Sequence, residues 1–185
     1  MSDGEGDQAV PTGTLMSGKR GLIMGVANNR SIAYGIAKAV IAQGAEIALT
    51  YQGEALKKRV EPIAKELGCG VVLPCDVTDG RSMDAVFDHL KSEWGRLDFL
   101  VHAIAYSDKA ELTGRFADTS RANFLKSMEI SCYSFVDVSR RAADLMPDGA
   151  QGSPGITPAP ARIAHRIGSR LRLRLPTHLR LRRLR

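Results

Sequence analysis

A chain of 185 residues has room for one ordinary domain, and its formal charge of +6 conceals two regions of opposite character. Nine arginines and no lysine, aspartate or glutamate fall in residues 151–185, leaving 17 basic and 20 acidic side chains in residues 1–150, a net of −3. The opening MSDGEGDQ has neither a basic nor an apolar region and so is not a secretory signal, and no apolar run approaches the ~18–20 residues of a membrane span.

Residues 1–16 are polar and glycine-rich without periodicity and read as a flexible lead-in. From Lys19 onward, short apolar runs alternate with amphipathic ones. The first run, Gly21–Val26, predicts a strand, and Ser31–Gln43 predicts a helix with Ile32, Gly35, Ile36, Ala39, Val40 and Gln43 on one face and Gly44 closing it. The second pair is a strand over Glu46–Tyr51 and a helix over Gly53–Leu67. A strand over Gly70–Pro74 leads to a helix over Arg81–Trp94, capped by Asp79, whose stripe of Met83, Val86, Phe87, Leu90 and Trp94 reads as core. A fourth strand, Leu97–Ala103, precedes one long helix, Ser120–Met146. Such strands are rich in Val, Ile and Leu, as expected when both faces are buried. The alternation predicts an α/β fold, a Rossmann-like doubly wound parallel sheet with strand order 3-2-1-4, in which only the first four strands are present.

Candidate chemistry gathers at the strand ends. The turn Gly25-Val26-Ala27-Asn28-Asn29-Arg30-Ser31-Ile32 offers a glycine for close backbone approach and amides at a helix start, which a pyrophosphate requires. The turn departs from G-x-G-x-x-G, and a plain strand–helix connection is the alternative. Gln52, at the end of the second strand, has no acid beside it to accept from a ribose hydroxyl and by itself leaves the cofactor open. Asp76, past the third strand, suits either an adenine amino group or the cap of the next turn. His102 reads as a packed strand residue. Cys69, Cys75 and Cys132 form no C-x-x-C, the histidines are scattered, and free thiols in a reducing cytosol with no metal site follow.

After Gly149 the rhythm stops. The stretch from 150 to 185 is Pro/Gly-rich, then alternates Leu with Arg, without an aromatic residue or an acid. It reads as disorder, with at most a transient strand at Arg170–Leu175.

In order and at natural spacing stand G-V-A-N-N-R-S-I-A-Y-G-I-A, T-Y-Q, C-D-V, D-F-L-V-H-A-I-A-Y-S and I-S-C-Y-S-F. Together they resemble the NADH-dependent enoyl-(acyl-carrier-protein) reductases of bacterial type II fatty acid synthesis, a branch of the short-chain dehydrogenases. The resemblance runs from about Leu15 to Gly149. It implies cofactor contacts at Gly25, Ser31, Ile32, Gln52, Asp76, Val77 and Ile104, an acyl-substrate contact at Ser107, and NADH rather than NADPH. It also implies an enoyl thioester on acyl-carrier protein as substrate, a cytoplasmic setting and a homotetramer formed partly through the helix over Ser120–Met146. A ketoacyl reductase would show T-G-x-x-x-G-I-G and N-N-A-G, and neither is present.

The departure from the family lies at the end. The resemblance calls for a Tyr-x6-Lys pair after the long helix, yet the last tyrosine is Tyr133 and the last lysine Lys126. The division is therefore a lead-in over 1–16, an NAD-binding Rossmann-like domain over 17–149, and an aberrant tail over 150–185. A chain truncated or frameshifted after about Gly149 accounts for the tail, whose residues match those of GC-rich DNA read out of frame. Such a chain is expected to be inactive, because a positioned proton donor is worth ~10²–10⁴-fold in rate, and to be aggregation-prone at its unpaired fourth strand. The competing readings are an NADH-binding pseudoenzyme and nonspecific binding of nucleic acid or anionic membrane by the arginines. The tail lacks the aromatics that stack bases and the stripe of a membrane-surface helix.

Overall fold

The computed structural model describes residues 10–146. Four strands form a single parallel sheet: β1 (Arg20–Met24), β2 (Glu46–Tyr51), β3 (Val71–Pro74) and β4 (Phe99–His102), in the order β3-β2-β1-β4. In register, Ile23 of β1 lies beside Leu49 of β2 and Val101 of β4. Helices α1 (Ile32–Ala42), α2 (Gly53–Leu67) and α3 (Gly80–Trp94) make the crossovers between successive strands. The chain is thus an α/β, Rossmann-like doubly wound sheet, as its periodicity predicts, and the strand order is the expected one.

The period-2 alternation of the strands divides the core between two faces. Leu22, Met24, Ala48 and Leu100 point to the side covered by α3 and the helix that follows β4, where Met83, Val86, Phe87, Leu90 and Trp94 are all buried. Ile23, Ile47, Leu49 and Phe99 point to the opposite side, against Ala33 and Ala37 of α1 and Val60, Ile63 and Ala64 of α2. The small α1 residues let that helix sit close to the sheet. Gly21 has a similar cause, because the Phe99 ring lies where its Cβ would be, 2.1 Å away. The apolar face expected of α1 holds for Ile36 and Val40, which pack against the core, but not for Ile32, 64% exposed at the first turn, nor for Gly35, which is exposed; the buried residues of α1 are Ala33 and Ala37.

The long helix expected over Ser120–Met146 is corrected. It is divided into α4 (Arg121–Met128), a π-helical turn (Glu129–Tyr133) and α5 (Ser134–Ala143). Widened turns of this kind are frequent at functional sites, and here one serine meets the loop after β4 and another meets β4 itself. Ser131 Oγ accepts from the amide of Tyr106 at 2.9 Å, and Ser134 Oγ meets His102 Nε2 at 2.8 Å. Asp79 caps α3 as expected, accepting from the Arg81 amide at 3.0 Å.

Where the sequence reads as a lead-in, residues 11–16 fasten onto the end of α1. The Gly13 amide donates to the Ala42 carbonyl, the Met16 amide to that of Gln43, and Gln43 Nε2 to that of Pro11. Beyond α5, the Leu145 carbonyl accepts from the Leu97 amide at 2.9 Å and returns the chain to the start of β4. Among the described residues β4 is a terminal strand of the sheet. The expectations for residues 1–9 and 147–185, including the disordered tail, its strand at 170–175 and its anionic partners, lie outside the described residues.

Candidate cofactor cleft

A parallel sheet brings all its strand C-termini to one edge, and there the chain leaves a cleft of about 510 Å³. Its walls are Gly25–Ala27 after β1, Thr50–Gln52 at the end of β2, Cys75–Thr78 after β3 and Ala103–Tyr106 after β4, with Lys126 and Ile130 closing it from α4 and the π turn. Five of the seven residues singled out for a cofactor meet in this cleft: Gly25, Gln52, Asp76, Val77 and Ile104. Ser31 and Ile32 stand behind the first wall at the start of α1, and Ser107 opens onto a neighbouring cleft.

Gly25 is required twice over. Its φ of +103° lies where side chains are strained, and a Cβ there would be 2.3 Å from the Ala103 carbonyl oxygen. The backbones that follow β1 and β4 thus approach each other closely at the cleft wall. The turn that follows is held by Ser31, whose Oγ donates to the Asn28 carbonyl at 2.6 Å and accepts from the Ala27 amide at 3.4 Å. The opening amides of α1, at Ile32 and Ala33, have no acceptor within a helix that starts there, and they carry the positive end of its dipole.

Both possibilities for Asp76 bear on the structure. One carboxylate oxygen accepts from the amide and hydroxyl of Thr78, at 2.9 and 2.7 Å, and so closes the next turn. The other accepts from Gln52 Nε2 at 2.9 Å, joining the ends of β2 and β3. Burial works against the Asp76 charge, but these hydrogen bonds outweigh it and hold the carboxyl below its usual range. Cys75, buried beside it, is pushed up to about 11 by desolvation and by the neighbouring Asp76 charge. All three thiols are free, and Cys75 is a packing residue of the cleft floor, not a nucleophile.

His102 is 1% exposed and packs edge-on against Phe135, with ring centroids 5.7 Å apart. The Ser134 hydroxyl donates to the Ile130 carbonyl at 2.6 Å, so its oxygen accepts from His102 Nε2–H. Nδ1 is then the unprotonated nitrogen, and it has no hydrogen-bond partner among the described residues. Desolvation holds the imidazole below its ordinary pKa, which keeps it neutral. It is a packed strand residue, as its place in the sequence suggests.

The second cleft, about 570 Å³, shares Ala105 and Tyr106 with the first and is lined by Leu112, Phe116, Phe124 and Met128 together with Ser107 and Asn123. The Ser107 hydroxyl accepts from Asn123 Nδ2 at 3.1 Å. Asn123 Oδ1 in turn accepts from the Asp108 amide at 2.9 Å, fastening this loop to α4. The chain therefore presents a polar-ended cleft and an apolar one meeting at a shared wall.

Of the two residues that the helix after β4 contributes, Ile130 opens the I-S-C-Y-S-F motif, whereas Lys126 belongs to no motif. They stand four apart, one turn of a helix, and both line the cleft. Their spacing was visible; their target was not.

Comparison with known proteins bears on the same residues. The family described as enoyl-(acyl carrier protein) reductase matches residues 25–157. The chain is 65% identical over 135 residues to enoyl-acyl-carrier-protein reductase (NADH) 1 of Rhizobium meliloti, covering 73% of this chain and 50% of that protein. To the corresponding NADH reductase of Rickettsia felis it is 51% identical over 135 residues, covering 73% and 52%. Among solved structures, the enoyl-acyl-carrier-protein reductase of Anaplasma phagocytophilum, in complex with NAD, superposes with a TM-score of 0.72 at 58% identity, covering 76% of this chain and 54% of that one. The reductase of Aquifex aeolicus superposes at 0.70 with 46% identity, covering 72% and 53%. The chain spans about half the length of the curated relatives it matches.

Proposed function

The chain belongs to the enoyl-(acyl-carrier-protein) reductase family, and on that premise we propose that residues 17–149 are the NADH-binding part of such a reductase. The convergence of Gly25, Gln52, Asp76, Val77 and Ile104 on one cleft carries this reading. The residues fit a dinucleotide. Gln52 and Asp76 offer polar groups for adenosine, and Val77, Ile104 and Ile130 offer apolar walls for flat rings. Gly25 leaves its backbone bare, and the opening amides of α1, positioned by Ser31 and Ile32, suit a pyrophosphate. The absence of an acid or arginine at Gln52 agrees with the NADH named for the relatives.

When bound, NADH supplies the hydride that reduces an enoyl thioester. In this reading Ser107 and the adjoining apolar cleft receive the acyl end of a trans-2-enoyl-acyl-carrier-protein, beside the shared wall at Ala105 and Tyr106. No residue of this sequence takes the roles of the family's Tyr-x6-Lys pair, since no tyrosine follows Tyr133 and no lysine follows Lys126. We therefore assign the chain cofactor binding and no catalytic residue. The setting is cytoplasmic, and no helix among the described residues is long and apolar enough to cross a membrane. Exposed Leu125, Met128, Tyr133 and Val136 support self-association along α4 and α5, the contact that the resemblance associates with a homotetramer.

Titration of the purified chain with NADH, followed by its fluorescence and by calorimetry, tests the assignment. Saturable binding is expected, weakened roughly 10- to 150-fold in Asp76→Ala, since a hydrogen bond to a charged group is worth roughly 1.5–3 kcal/mol. No heat and no fluorescence change up to millimolar NADH would overturn it.

A further inference from the structure

We propose that Lys126 pairs with the pyrophosphate of the bound dinucleotide and is held over the Tyr106 ring until a phosphate takes the ring's place. The proposal rests on the dinucleotide reading of the cleft. Among the described residues that line it, Lys126 is the only cation and Asp76 the only anion. The Asp76 carboxylate is engaged by Thr78 and Gln52 within its own wall and makes no ion pair with the lysine. Lys126 instead places its ammonium 5.0 Å from the Tyr106 ring centroid.

That position is built. Ser131 Oγ accepts from the Tyr106 amide at 2.9 Å and donates to the Tyr106 carbonyl at 3.3 Å, so the π turn fixes the backbone that carries the ring. Ile130, one helical turn beyond Lys126, lines the same cleft, so this helix face looks into it. Tyr106 is 40% exposed, and a cation over an exposed ring is held more weakly than one in a charge-assisted hydrogen bond to a phosphate oxygen. A flexible four-carbon stem lets the ammonium change partners without moving the helix. The pyrophosphate is the anionic part of a dinucleotide, and no other cationic side chain among the described residues lines the cleft to meet it.

The test is titration of the full chain with NADH at low, physiological and high salt, for wild type, Lys126→Gln and Lys126→Arg. Lys126 is exposed, so its variants keep the fold, which far-UV circular dichroism checks. Lys126→Gln is expected to raise the Kd about tenfold at low salt, the loss of one charge-assisted bond, and to flatten its dependence on ionic strength. Lys126→Arg, which keeps the cation, is expected to stay within about threefold of wild type, or under about 0.7 kcal/mol. Wild type and Lys126→Gln binding equally, with the same salt dependence, would overturn this inference and leave the cofactor assignment standing. An absence of saturable binding in wild type would overturn both.

Discussion

Helix α3 and the helix from α4 to α5 cover the same face of the sheet and read alike in sequence, yet only α3 is regular. All five stripe residues of α3 are buried, and its polar bonds include the Asp79 cap, the Ser82 hydroxyl accepting from the Asp76 amide at 2.9 Å, and the ion pair between Asp84 and Arg141 of α5 at 2.7 Å. The other helix fills the core through Val138 and Ala142, reaches β4 itself through Ser134, and reaches the loop after β4 through Asn123 and Ser131. The π turn lies between α4, whose Lys126 lines the cleft, and α5, whose Val138 and Ala142 pack in the core. The difference teaches that α3 is shaped mainly by packing and touches the site through Ser82 and the Asp76 amide, whereas its neighbour lines the site with its own side chains.

The largest effect should come from the packing helix. Leu90 is fully buried, and Leu90→Ala is expected to destabilise the chain by about 2–5 kcal/mol through lost burial and a cavity. Chemical denaturation checks this, with NADH affinity of the folded fraction unchanged. Were Leu90→Ala to leave stability untouched and weaken NADH binding, the division of labour between the helices would be wrong.

A smaller and more diagnostic effect is expected at Ser134. Ser134→Ala leaves His102 Nε2–H without its acceptor in a buried site and should cost about 1–3 kcal/mol. Replacing both partners, as in His102→Leu with Ser134→Ala, should cost less than the sum of the two single changes, because no buried donor is stranded. A double-mutant cycle by denaturation measures the difference, and strictly additive losses would show that the contact does not link helix and strand.

The smallest effect is a pH dependence. His102 titrates below its ordinary 6.5 in the folded chain because burial disfavours the imidazolium. As pH falls below about 6.5 the unfolded chain takes up the proton first, so stability is full above that value and declines beneath it. Asp76 and Asp98, held below their usual range, add a loss at lower pH, beneath their unfolded value of 3.8. Denaturation midpoints between pH 7 and 5 should therefore fall in wild type and fall less in His102→Leu. Equal slopes would remove His102 as the cause.

Much of the fold was legible because β1, β2 and β4 bury both faces and each of α1–α3 buries one. Runs such as Gly21-Leu22-Ile23-Met24 and the α3 stripe announce those states directly. The break in the last helix was not legible, because Ile130, Ser131 and Cys132 are compatible with an ordinary helix and the π turn answers to Tyr106 and His102, some 25 and 32 residues away in sequence. The site shows the same division. Gly25, Gln52 and Asp76 follow strands and could be placed at one edge from strand order alone, whereas Ser31 and Ile32 belong to the turn's frame and not to the cleft wall.

By itself the sequence determined the element types, the strand order and the family, because periodicity and motif spacing are local and additive. Only the tertiary structure decided that Gly25 must yield to the Ala103 carbonyl, that Asp76 serves Thr78 and Gln52 together, and that Lys126 faces the cleft over Tyr106. These depend on the distance between segments remote along the chain, which is set by how helices of given bulk pack on a twisted sheet.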